Sequence, residues 1–120
     1  MLKAYVYQGC STCRNALKWL KAHHIEFDEV PIRETPPTMV ELQAVLKSKG
    51  GDVRALFNTS GLDYRALGLK DTLPAMPQTE ALHLLSQNGN LVKRPFVIDE
   101  RNGVHLIGFK EAEWKAALSN

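Results

Sequence analysis

Apolar and polar residues alternate at the amino end, with Leu2, Ala4 and Val6 set against Lys3, Tyr5 and Tyr7, the period-two signature of a strand. Gln8 and Gly9 interrupt it. From Ser11 onward Cys13, Leu17 and Leu20 recur at helical spacing, with Lys18 and Lys21 on the wetter side, which predicts a helix running to about His23. Over residues 25–32, Ile25 and Phe27 alternate with Glu26 and Asp28. A second strand is expected there, parallel to the first through a right-handed crossover.

Pro36 and Pro37 break the pattern, and Thr38-Met39-Val40-Glu41 reads as a capping box opening a helix through Leu42, Val45 and Leu46 toward Gly50 and Gly51. Residues 54–57 and 64–67 predict short helical turns. Pro77, followed by Glu80, Leu82, Leu84 and Leu85, starts another helix that stops near Gly89. Phe96, Val97 and Ile98 form a third strand, Asn102-Gly103 a turn, and residues 104–107 a fourth strand, together an antiparallel hairpin. Trp114, Ala117 and Leu118 share one face of a closing helix. The order β-α-β, helical insertion, β-β-α places the chain in the α/β class. It predicts a thioredoxin-like mixed four-stranded sheet with flanking helices, the insertion of about residues 36–90 falling between strands 2 and 3 of a single domain over 1–120.

With 120 residues, 44% of them hydrophobic, the chain can bury a core without metal or disulfide staples. Its 15 basic and 13 acidic residues are interspersed, so no basic block marks a surface for direct binding of nucleic acid or membrane. The amino end lacks the apolar stretch of a secretory signal, and no apolar run approaches the ~20 residues of a membrane span. A cytoplasmic protein is expected, and there the reducing pool keeps thiols free.

That setting gives weight to the 2 cysteines, confined to one C-x-x-C at Cys10 and Cys13. Cys10 falls where a strand hands over to a helix, with unsatisfied N–H groups and the positive end of the helix dipole facing its sulfur. Such sites lower a thiol pKa from about 8.5, making Cys10 the candidate nucleophile and Cys13, one turn further in, the resolving thiol. Two blander readings stand beside this one. A zinc site lacks its second ligand pair, because no other C-x-x-C exists and the adjacent His23 and His24 diverge on a helix. Burial of both cysteines as small hydrophobes is common in general, but does not use the helix start. His23 and His24 suit a helix C-terminus, and neither His83 nor His105 is paired with a cysteine by spacing.

Four segments, Gly9-Cys10-Ser11-Thr12-Cys13-Arg14-Asn15-Ala16, Glu34-Thr35-Pro36-Pro37-Thr38, Phe57-Asn58-Thr59-Ser60-Gly61 and Lys93-Arg94-Pro95-Phe96, occur in order along nearly the whole chain. Together they resemble the arsenate reductase-related family, which includes glutaredoxin-coupled arsenate reductases and Spx-type regulators. The resemblance implies that Pro95 is cis against the active-site cysteine and that Arg94 stands beside Cys10, stabilising its thiolate or an oxyanion. It implies a substrate or anion site drawing on Ser11, Thr12, Arg14, Arg54, Asn58 and Pro95. The reductases surround their cysteine with three arginines; here only Arg94 matches, with Asn58 and Gly108 at the other two positions and Arg54 one helical turn before Asn58. Cys13 is a further departure from the reductases, shared with Spx-type proteins.

Three functions follow. The first is thiol-disulfide exchange with a protein or low-molecular-weight disulfide, needing no cofactor beyond a thiol reductant such as glutathione, a glutaredoxin or a thioredoxin. The second is arsenate reduction in the strict sense. The third is a redox-sensing regulator that binds RNA polymerase.

Overall fold

Every second residue of a strand faces the same way, so a strand in the middle of a sheet must be apolar on both faces. This constraint explains the amino-terminal segment of the computed structural model, which describes residues 1–118. Strand β1 (Leu2–Val6) lies inside a four-stranded sheet of order β2-β1-β3-β4, formed with β2 (Phe27–Pro31), β3 (Phe96–Asp99) and β4 (Val104–Ile107). β1 pairs parallel with β2 and antiparallel with β3, in a register that sets Ala4 opposite Val97 and Tyr5 opposite Phe96. Tyr5, on the wetter side of the sequence alternation, is therefore buried, and its ring meets Phe96 edge to face at 5.7 Å. β2 lies at the sheet edge, where the charged Asp28 and Glu29 are exposed, a usual defence of an open edge.

The strands belong to a compact unit made of Met1–Pro31 and the segment that begins at Arg94. Helix α1 (Ser11–Ala22) follows β1. It buries Cys13, Ala16, Trp19 and Leu20 in one cluster with Leu2, Ala4 and Val6 of β1, Val97 of β3 and Leu106 of β4. Each fully buried aliphatic side chain there contributes roughly 1.5–3 kcal/mol relative to exposure. Trp114 closes the cluster, its ring edge-on to Trp19 at 5.9 Å and to Phe109 at 4.9 Å, while its indole N–H donates to the Gly108 carbonyl at 3.0 Å. The closing helix, Glu111–Leu118, thus packs through Trp114 and the half-buried Leu118; Ala117, expected on the same face, is exposed.

Residues Ile32–Lys93 form the second unit. It carries α2 (Met39–Ser48), α3 (Leu62–Ala66), α4 (Leu69–Thr72) and α5 (Gln78–Gln87), with the closing helix becoming α6 of the chain. Leu42, Val45 and Leu46 of α2 and Ala81, Leu82 and Leu85 of α5 are buried where these two helices pack. The 54–57 turn is a 3-10 segment, Val53–Leu56, and the 64–67 turn is α3; α4 and the 3-10 turn Leu73–Ala75 lie in a stretch without predicted structure. Segment 57–61 is pinned by its backbone: Asn58 N–H donates to Leu91 O at 2.7 Å and Gly61 N–H to Asn58 O at 3.1 Å. Among the described residues no helix is long and apolar enough to cross a membrane.

The capping box forms as read. Thr38 Oγ1 accepts the Glu41 N–H at 3.2 Å, and Glu41 Oε1 accepts the Thr38 N–H at 3.0 Å. Thr38→Ala strands the Glu41 donor and is expected to lower unfolding stability by about 1 kcal/mol in a urea titration.

Candidate active site

Beyond Val6 the chain turns at Gln8 and Gly9 and enters α1 through Cys10. The Cys10 N–H donates to Tyr7 O at 3.0 Å, and the Arg14 N–H donates to Cys10 O at 3.1 Å. Cys10 is extended, φ −99° and ψ 114°, and is the N-cap of the helix, its sulfur accepting the Cys13 N–H at 3.3 Å. A helix start leaves four N–H groups seeking acceptors, a need commonly met by a Ser, Thr, Asp or Asn oxygen. Here a sulfur meets it, so the polarity that favours a capping anion favours thiolate.

The two thiols are driven in opposite directions. Burial opposes ionisation of Cys10, but the Cys13 thiol and backbone N–H as donors, with the Arg94 guanidinium, outweigh it and hold Cys10 below the usual 9.0. Cys13, 1% exposed, is pushed up to about 12, first by burial and then by the hydrogen bond and negative charge of Cys10; the Tyr7 backbone and Arg94 offset this only in part. The pair therefore ionises first at Cys10, and the proton that remains resides on Cys13.

Arg94 reaches this place because it lies two residues before β3, the antiparallel neighbour of β1. The Arg94–Pro95 peptide is cis, Pro95 is buried, and its carbonyl accepts the Gly108 N–H at 2.9 Å. The guanidinium carbon lies 5.3 Å from the centre of the Tyr7 ring, and the buried Arg94 Nη1 has no hydrogen-bond partner. A buried cationic donor without a partner is a candidate for meeting an anionic group.

The other sequence candidates fall into distinct places. Ser11 and Thr12 are exposed in the first turn of α1. Arg14 is exposed as well, and its Nη1 donates to Gln8 O at 2.7 Å, bracing the turn before the helix. Arg54 and Asn58 stand together in the second unit, lining a pocket of about 400 Å³ with Asp52, Thr59, Ser60 and Lys93. Gly108 has φ +70°, a conformation that any side chain with a Cβ resists, so Gly108→Arg would strain the backbone. Among the histidines, His23 stacks on Trp19 at 3.9 Å with Nδ1 2.8 Å from Trp19 O, and His105 bonds Glu100. Tyr7, seen in the sequence only as a strand residue, joins the site through its carbonyl and its ring. Pairing the first and third strands antiparallel would have pointed to it.

The fold and the paired thiols define a thioredoxin-like protein with a dithiol at the start of its first helix. Residues 5–117 match the ArsC family, and the chain belongs to it. It is 43% identical to the uncharacterized protein YusI of Bacillus subtilis, over 95% of each chain. It is 32% identical to the global transcriptional regulator Spx of Enterococcus faecalis, over 98% of this chain and 86% of that one. An ArsC family related protein from Bacteroides fragilis has a crystal structure that superposes with a TM-score of 0.88 and 42% identity, covering 97% of this chain and 96% of the other.

Alkylation by iodoacetamide at pH 7 should label Cys10 and spare Cys13. Thiolate is the reactive form, so the rate should fall as pH drops through the lowered Cys10 pKa and level off above it. Arg94→Gln should move that midpoint upward, readable from the pH–rate curve.

Proposed function

We propose that this chain is a thiol-disulfide oxidoreductase in which Cys10 attacks and Cys13 resolves. The observation that carries this reading is the split between two sulfurs one helical turn apart, one pushed toward thiolate and the other held as thiol with its pKa at about 12. In the reducing direction Cys10 thiolate attacks a disulfide sulfur, forming a mixed disulfide and releasing the distal sulfur as thiolate, which takes up a proton. Cys10 then carries no charge. Two of the causes that raise Cys13, the hydrogen bond and the negative charge of Cys10, vanish at that step. Cys13 can now lose its proton and attack the Cys10 sulfur, releasing the second half of the substrate and leaving a Cys10–Cys13 disulfide. Two electrons have passed to the substrate, and a thiol reductant of the glutathione, glutaredoxin or thioredoxin class returns them.

Arsenate reduction in the strict sense fits less well. The resemblance asks for three arginines, and Asn58 and Gly108 leave two charge-assisted contacts unmade, each worth roughly 1.5–3 kcal/mol. The φ of +70° at Gly108 makes that position hard to convert, so Asn58→Arg is the better substitution for improving arsenate binding. Arsenate turnover with glutathione by the native protein is expected to be weak; efficient turnover would mean that a cation other than Arg94 completes the anion site.

A regulatory reading is favoured by one observation, the 32% identity to a protein named as the transcriptional regulator Spx. Under it the same disulfide is a switch whose oxidised and reduced forms differ in binding RNA polymerase.

Mild oxidation should remove two free thiols per chain without producing a dimer. Cys13→Ser should trap the partner as a stable mixed disulfide on Cys10, identifiable by mass spectrometry from cell extract. Glutathione on Cys10 indicates a low-molecular-weight substrate, a defined protein indicates protein disulfide exchange, and Cys10→Ser should trap little. Trapping by Cys10→Ser but not by Cys13→Ser would reverse the roles, and trapping by neither would favour polymerase binding.

A further inference from the structure

Three features of the first unit meet at Tyr7. The register that pairs Lys3 with Ile98, Ala4 with Val97 and Tyr5 with Phe96 sets Tyr7 opposite Arg94 when continued by two residues. Directly opposite residues of an antiparallel pair carry their side chains on the same face. The Arg94 guanidinium indeed lies over the Tyr7 ring, 5.3 Å from its centre. The hydroxyl-bearing edge of that ring lies over Gly9: a Cβ built on Gly9 would come within 2.5 Å of Tyr7 Cε2 and 3.0 Å of its hydroxyl oxygen. Gly9 has no positive φ, so close approach rather than backbone conformation is what this glycine provides.

We propose that Tyr7 is a positioning residue, its ring seated on Gly9 and holding the Arg94 guanidinium beside the Cys10 sulfur. The inference rests on the functional reading of Arg94 as the cation that serves Cys10. The chemistry explains why a ring is used. A carboxylate would fix a guanidinium firmly, yet it would neutralise the charge meant for the thiolate and repel that thiolate directly. An aromatic face attracts a cation through its quadrupole while carrying no net charge, so Arg94 is held and its field remains available to Cys10. The unpartnered Arg94 Nη1 accords with a guanidinium placed by stacking rather than by a full set of hydrogen bonds. Tyr7 also supplies the carbonyl that accepts the Cys10 N–H, so one residue sets both the sulfur and its counter-ion.

The test is the pH–rate curve for iodoacetamide alkylation of Cys10, measured in wild type, Tyr7→Leu, Tyr7→Phe, Gly9→Ala and Arg94→Gln. Tyr7→Leu keeps an apolar side chain of moderate size but loses the aromatic face. It should raise the Cys10 midpoint by roughly half a unit, slowing alkylation about threefold on the acidic limb. Tyr7→Phe, which keeps the face, should follow wild type. Gly9→Ala should displace the ring and behave like Tyr7→Leu, which keeps the idea testable if Tyr7→Leu folds poorly. In the Arg94→Gln background Tyr7→Leu should add no further shift. A wild-type curve for both Tyr7→Leu and Gly9→Ala, beside a shifted Arg94→Gln, overturns the role of Tyr7 alone. So does an equal Tyr7→Leu shift with and without Arg94. A wild-type curve for Arg94→Gln itself overturns the functional reading of Arg94, and the role of Tyr7 falls with it.

Discussion

The hydrogen bond from the Cys13 N–H to the Cys10 sulfur joins the architecture of this protein to its chemistry. A helix must begin somewhere, and its first donors need an acceptor whether or not the protein has any reaction to perform. Satisfying that need with sulfur makes the cost of starting α1 and the stabilisation of a thiolate the same interaction. The surroundings follow from it. Cys13 has to be one turn into the helix to provide the donor, and one turn in from this start is the face of α1 that packs on the sheet. The second thiol is thus buried by the same geometry that leaves the first partly exposed, and the Arg94 guanidinium lowers Cys10 further.

Around this bond the sheet contributes position rather than reactivity. β1 and β3 are neighbours, so Tyr7, the residue after β1, and Arg94, two residues before β3, meet at one end of the sheet. One carries the ring and the other the guanidinium. The connection through the second unit, Ile32–Lys93, returns the chain to that end just before Arg94.

Elements announced by their own local pattern were legible in the sequence. The capping box at Thr38 and Glu41, the strand-turn-helix at Cys10 and the hairpin of β3 and β4 depend on residues within a few positions of one another, and each formed where expected. Features set by distant neighbours were not. Tyr5 alternates as a surface residue, and only its place in an interior strand buries it. Ala117 shares a helical face with Trp114, but α6 packs chiefly through the indole and leaves the alanine exposed. α4 spans only Leu69–Thr72, too short to impose a periodicity. Within the site, the cysteine spacing singled out the two thiols as candidates, and the family resemblance supplied Arg94 and the cis Pro95. The bracing contact of Arg14, the φ of Gly108 and the ring of Tyr7 required coordinates, because each depends on where a side chain or a backbone turn ends in space.

Cys13 is a core residue as well as the resolving thiol of the proposed exchange, clustered with Ala16, Leu20 and Val97. Folding and oxidation therefore form a thermodynamic cycle with a shared corner. Any difference in stability between the dithiol and disulfide forms must equal the difference in reduction potential between the folded and unfolded chains, at about 30 mV for each 1.4 kcal/mol. A substitution that loosens the packing around Cys13, remote from any substrate, will retune the potential of the pair whenever it affects the two forms unequally. The hydrophobic core of this protein is in that sense part of its electrochemistry.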